Sequence, residues 1–189
     1  MTDRPRLIVG ISGASGAIYG VRLLEVLQKL PVETHLVMTR TAEVTLAHET
    51  DFKVSDVRRL ADVAYRIDDL SAAVSSGSFR TTGMIVAPCS MRSLAEIAHG
   101  ITSNLLTRAA DVVLKERRKL VLVARETPLH AIHLRNMATL AEMGAIIAPP
   151  VPAFYNRPKT LDDIVDHTVG RVLDLFDFDF DSGIVKRWS

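Results

Sequence analysis

The chain has 189 residues, enough to bury a sizeable core, and 48% of them are hydrophobic. Its 23 basic and 22 acidic residues nearly cancel, so no broad electrostatic footprint for nucleic acid or a membrane surface exists, although a local basic pocket stays open. The single cysteine, Cys89, cannot close an internal disulfide, which points to a reducing compartment. Residues 1–6 are polar and lack an apolar signal-type segment, and the uncharged run 144–156 is short and broken by prolines. Together these features predict one cytoplasmic domain over 1–189, with no repeat, dividing linker or transmembrane segment.

A short apolar run at 7–11 predicts the first strand. Val21, Leu24, Leu27 and Leu30 then share one face of a helix over 17–30. A second strand is predicted at 34–38 and a second helix at 41–49. Ser55 is read as the cap of a short helix ending near Ala61, followed by a third strand at 63–67. The cluster 75–78 is a loop. Residues 84–87 form a buried-type strand, with helices to follow at 93–98 and 104–118. The apolar run 120–124 is the next strand. A helix over 129–143 is stopped by Gly144, a last short strand covers 145–148, and a final helix covers 161–176. Short apolar strands alternating with amphipathic helices mean βαβ units, and so an α/β fold with a mostly parallel sheet between two helical layers. Ligands of such sheets bind beyond the carboxyl ends of the strands, where strand order reverses.

The strand-to-helix junctions therefore carry the search for chemistry. The first contains Gly13-Ala14-Ser15-Gly16. Glycines there permit a tight turn and close approach by a ligand, and free amides at the helix start favour an anion. Close packing of helix on strand is the competing reading. No Gly-Lys-Ser/Thr follows, so the turn is not a Walker A loop. After the second strand, where a nicotinamide site would place Asp or Glu, the chain has Thr39-Arg40. A hydroxyl and a cation suit a flavin phosphate chain or another phosphate better. The fourth junction, Cys89-Ser90-Met91-Arg92-Ser93, offers hydroxyls and amides to an anion or a flavin ring edge, or ordinary capping by Ser90. Cys89 reads as a packing residue rather than a nucleophile.

At the fifth junction Arg125 and Glu126 stand side by side, an arrangement costly to bury unless the charges are paired or used. Arg125 can grip a phosphate or carbonyl, and Glu126 can exchange a proton. A mutual salt bridge, with Thr127 capping the next helix, is the alternative. Glu126, His130 and His133 fall on one predicted helical face at metal-ligand spacing. Without a third strong ligand nearby they are assigned a structural role and no metal site. Arg117 to Lys119 read as a solvated helix end, Lys115 less so. The loop aromatics Phe154 and Tyr155 read as packing.

Taken together, these junctions resemble the UbiX-like flavin prenyltransferases over nearly the whole chain. The specific pieces are S-G-A-S-G-A-x-Y-G from Ser12, Glu49-Thr50-Asp51, S-S-G-S-F from Ser75 and Pro88-Cys89-Ser90. Further pieces are R-A-A-D-V-V-L-K-E-R-R from Arg108, R-E-T-P-L-H from Arg125, P-x-P-A-F-Y from Pro150, and the terminal Arg187-Trp188. The resemblance implies a Rossmann-like three-layer α/β/α fold and metal-independent transfer of a dimethylallyl group from dimethylallyl monophosphate to N5 and then C6 of reduced FMN. It further implies a homo-oligomer, commonly a dodecamer, with sites at subunit contacts, and a UbiD-like decarboxylase as recipient of the prenylated FMN.

By the matching motifs, FMN is expected on Gly13, Ala14, Ser15, Thr39, Ser90, Met91, Arg92, Ser93 and Arg125. The donor is expected on Lys115, Arg125, Tyr155 and Arg171, some from a neighbouring subunit. Ser15, Glu49 and Glu126 are the expected proton-handling groups. Thr39 stands where the family usually has Ser, and Arg92-Ser93 replace a commoner Lys-Thr or Gly-Thr pair. The competing functions are a flavin carrier and a flavin-dependent decarboxylase of related fold. The latter requires a Pro-x-Met-Asn signature that this sequence lacks.

Overall fold

The computed structural model describes residues 4–176 and 178. Among them, six strands lie side by side: β1 (Arg6–Ile11), β2 (Glu33–Met38), β3 (Val63–Tyr65), β4 (Gly83–Cys89), β5 (Lys119–Ala124) and β6 (Ile146–Ile147). Their order is β3-β2-β1-β4-β5-β6 and every pairing is parallel. The central strand β4 is buried at all seven positions, as its continuous apolar run requires of a sheet covered on both faces. Alternate side chains leave by opposite faces, so Leu7, Val9 and Ile11 enter one core while Ile8 enters the other.

Helices α1 (Ala17–Leu27), α2 (Arg40–Glu49), α3 (Val54–Arg59) and α7 (Leu161–Leu173) cover the first face. Helices α4 (Met91–Ala98), α5 (Leu105–Lys115) and α6 (Ala131–Glu142) cover the second. The result is the expected three-layer, Rossmann-like arrangement, and the strand order reverses between β1 and β4. Gly20 brings α1 onto β4, because a Cβ there would lie 2.4 Å from the Ala87 carbonyl oxygen. Gly20→Ala is expected to destabilise the fold by about 3 kcal/mol through overpacking, read as a lower denaturant midpoint.

Several boundaries differ from the sequence expectation for identifiable reasons. α1 stops at Leu27, and the amides of Lys29 and Leu30 turn to carbonyls three residues back, because Pro31 disfavours helical geometry at Leu30. Lys53, not Ser55, holds the N-cap position of α3, and the Ser55 hydroxyl donates to Asp56 at 3.3 Å. α6 begins only at Ala131, with the His130 ring accepting from the His133 amide at 3.4 Å. Thr127 therefore does not cap this helix, and Glu126 does not share its face with the two histidines. The third strand is three residues long, and β6 two. α7 ends at Leu173 rather than Phe176. Arg187 and Trp188 lie outside the described residues.

Candidate active site

Beyond the carboxyl ends of the central strands opens a cleft of about 560 Å³. Its polar edge is Ser15 from the turn between β1 and α1, with Arg125 and Glu126 from the segment after β5. Its apolar wall is built by Tyr19, Val151, Ile164 and Val165. The wall residues on α7 are fixed by a reciprocal cap: Thr160 accepts from the Asp163 amide at 3.1 Å while Asp163 accepts from the Thr160 amide at 3.0 Å. Tyr19 is half-buried. Burial pushes its hydroxyl up in pKa against the opposing pull of a Thr168 hydrogen bond and the Arg125 charge, so it stays neutral.

Glu49, the last residue of α2, reaches across to the start of α1. Its Oε2 accepts from the Gly16 amide at 2.7 Å and the Ala17 amide at 3.1 Å, and the Ser15 hydroxyl also bonds it. Gly16 holds φ +98°, which favours glycine at this turn. Burial raises the Glu49 pKa, but the Ser15 hydroxyl, the two amides and the Arg125 charge outweigh it and leave the carboxyl below its ordinary value. The anion at the positive end of α1 is thus the protein's own carboxylate. The expectation of free amides there, ready for a ligand phosphate, is corrected.

Two other helix starts remain suited to a phosphate or a flavin edge. At α2, Thr39 accepts from the Ala42 amide at 3.1 Å, and its hydroxyl lies 3.0 Å from that of Thr41. Gly13 lies directly against Thr41, since a Cβ on it would fall 2.4 Å from the threonine Cβ. At α4, Ser90 accepts from the Ser93 amide at 3.2 Å, while Arg92 turns outward to pair with Glu96 at 2.9 Å. Ala14 lies on the first turn and Met91 opens α4, both partly buried. Among the described residues Arg125 has no ion pair and no side-chain hydrogen bond, and Glu126 accepts only from the Thr127 amide at 3.0 Å. The alternative reading of a mutual Arg125–Glu126 salt bridge is therefore not met among the described residues. Hydroxyls, helix-start amides, close glycine contact and an uncommitted guanidinium fit a phosphate-bearing flavin.

Three expected donor-binding residues do not line this cleft within one chain. Lys115 ends α5, beside Glu116 and Gly77 and just before β5 begins, hence at the opposite edge of the sheet. Tyr155 stands in a short 3-10 turn with its hydroxyl 3.5 Å from His167. Arg171, in the last turn of α7, pairs with Asp174 at 2.7 Å. It is two turns beyond Ile164, roughly 10 Å along the axis.

Cys89 is fully buried, and burial pushes its thiol up to about 12. The folded protein is expected to resist thiol alkylation at neutral pH and to react only after unfolding, as followed by mass spectrometry. Ser12 and Tyr19 lie in the S-G-A-S-G-A-x-Y-G motif but received no role from the sequence, and Thr41 and the α7 wall were passed over. Thr41 was detectable as a second hydroxyl at a helix start. The α7 wall depends on tertiary packing and left no local signal.

The fold and this cleft define a flavoprotein, and the Flavoprotein family model matches residues 1–173. Flavin prenyltransferase UbiX of Escherichia coli K12 is 59% identical over 185 residues, spanning 97% of this chain and 98% of that one. The crystal structure of AnUbiX (PadA1) in complex with FMN and dimethylallyl pyrophosphate superposes with a TM-score of 0.95. It is 55% identical and covers 98% of each chain. A dodecameric FMN-dependent UbiX-like decarboxylase from Escherichia coli O157:H7 superposes at 0.94, also at 55% identity, over 97% of this chain and 99% of that one. The chain belongs to the UbiX flavin prenyltransferase family.

Proposed function

We propose that this chain joins the dimethylallyl group of dimethylallyl monophosphate to N5 and C6 of reduced FMN. The observation that carries this reading is an uncommitted guanidinium, Arg125, beside a hydroxyl–carboxylate pair, Ser15 and Glu49, at the mouth of a largely apolar cleft. Reduced FMN, as the acceptor, supplies the nucleophilic nitrogen and ring carbon. The rest falls to the chain's own groups. Breaking the allylic C–O bond sends the electron pair to the phosphate, and Arg125 is placed to neutralise that charge. The carbocationic carbon left behind is sheltered from water by Tyr19, Ile164 and Val165. The bond to N5 displaces the N5 proton, whereas closure onto C6 consumes the prenyl double bond, whose inner carbon takes up one proton while C6 gives one up. Glu49, kept ionised by three hydrogen-bond donors and the Arg125 charge, is the base, with Ser15 bonded to it, and Glu126 is the second proton-handling group.

Within this reading, Gly13, Ala14, Thr39 and the segment Ser90, Met91, Arg92 and Ser93 form the flavin seat. Because Lys115, Tyr155 and Arg171 lie away from the cleft of their own chain, they reach a donor phosphate from another copy in a homo-oligomer. Residues 1–189 act as one flavin-binding domain in the cytoplasm, and the product passes to a UbiD-like decarboxylase. Among the described residues no helix is long and apolar enough to cross a membrane. Anaerobic incubation of the protein with reduced FMN and dimethylallyl monophosphate should give a flavin heavier by one C5 unit on mass spectrometry. Recovery of unmodified FMN, with the diphosphate donor also inert, would reject the proposal.

A further inference from the structure

Ser12 is buried to 1% exposure at the point where the sheet reverses its strand order. β1 and β4 run in paired register only as far as Gly10 opposite Val86. Beyond that, the β4 side presents Pro88, which has no N–H and cannot donate to the ladder. Ser12 supplies the missing connections. Its amide donates to the Pro88 carbonyl at 3.2 Å and its hydroxyl to the same oxygen at 2.9 Å. That hydroxyl in turn accepts from the Ser90 amide at 2.7 Å. The Ser12 carbonyl accepts from the Ala14 amide at 2.9 Å and so shapes its own turn.

One side chain thus joins the glycine turn after β1 to the start of α4. Ser90, held by its amide, caps α4 by accepting from the Ser93 amide and donating to the Ser93 hydroxyl, each at 3.2 Å. We infer that Ser12 is a positioning residue for flavin binding: its hydroxyl fixes the separation and aim of the two loops between which the flavin lies. The inference rests on the functional reading above for the identity of the ligand. Removing the hydroxyl leaves the partly buried Ser90 amide without its partner. The Ser90 segment then turns to find another partner and withdraws from its aim. Ser12 touches neither reacting group, so acceptor binding should change and the chemical step should not.

The test compares wild type with Ser12→Ala, Ser12→Cys and Ser12→Thr, reading FMN affinity of the flavin-stripped protein by fluorescence quenching, the KM and kcat for reduced FMN, and thermal stability. Ser12→Ala and Ser12→Cys should weaken FMN binding by about tenfold, the equivalent of roughly 1.4 kcal/mol, with KM raised and kcat nearly kept. Ser12→Thr, which keeps the hydroxyl, should restore affinity. Should Ser12→Ala fail to fold, the size-matched Ser12→Cys and the threonine rescue still decide. Wild-type affinity in a folded Ser12→Ala or Ser12→Cys protein would overturn the inference, as would loss of stability without loss of affinity. Wild-type protein that binds no FMN would instead sink the functional reading itself.

Discussion

Arg125→Ala is expected to lower prenyl transfer by about 10²–10³-fold, the scale seen when a preorganised group facing developing charge is removed. The same substitution should leave stability within about 0.5 kcal/mol of wild type, because an exposed side chain with no bonded partner contributes little to folding. That combination is diagnostic. Arg125 follows directly on β5, its backbone amide donating to the Cys89 carbonyl at 3.1 Å, so the stem is held while the guanidinium stays uncommitted. Such a cation is of little use to the fold and, on the proposed reading, is free to meet a departing phosphate. Arg125→Lys should recover only part of the rate, since a point charge lacks the bidentate fork. Steady-state kcat/KM and a thermal melt on the same samples check both halves. A parallel loss of stability and activity would show that Arg125 serves the fold.

The second large effect belongs to Glu49. Glu49→Gln keeps an oxygen that can accept from the Gly16 and Ala17 amides but removes the charge, so α1 retains a cap while the proposed base is lost. A fall of about 10²–10⁴-fold is expected, the usual range for a positioned general base. The stability change should be far smaller, about 0.3–1 kcal/mol from the charge–dipole term. The pH dependence follows from the direction of the shift. The folded carboxyl lies below its ordinary 4.5, so its stabilisation is complete above that value and is lost as the pH falls through the folded pKa. The difference in denaturant midpoint between wild type and Glu49→Gln should therefore shrink below about pH 4.5. Wild-type turnover in Glu49→Gln would remove Glu49 from proton handling.

The sheet and its junctions were legible because they rest on local pattern. β4 and residues 120–124 of β5 are unbroken apolar runs, and the Ser90 and Thr39 caps are signalled by residue type at a helix start. Glu49 was marked by family motif alone. Its seat on α1 joins positions 33 residues apart and depends on how α2 crosses the sheet, which periodicity does not encode. The same carboxylate overturned the free-amide reading of the glycine turn. The histidine-and-glutamate face failed because Pro128 and the cap at His130 delay α6 by five residues past Glu126. Lys115 shows a signal present but unused. A helix that precedes a parallel strand must end at the edge where that strand begins, so residue 115 could not meet Arg125 of its own chain.

The most direct measurement is a crystal structure of the assembled protein with FMN and dimethylallyl monophosphate bound. The donor phosphate should contact Arg125, Glu49 should remain on the Gly16 and Ala17 amides, and the flavin phosphate should lie at the Thr39 and Ser90 helix starts. Lys115 should arrive from a different copy. A flavin phosphate seated on the α1 amides with Glu49 expelled, or a donor phosphate remote from Arg125, would contradict this assignment.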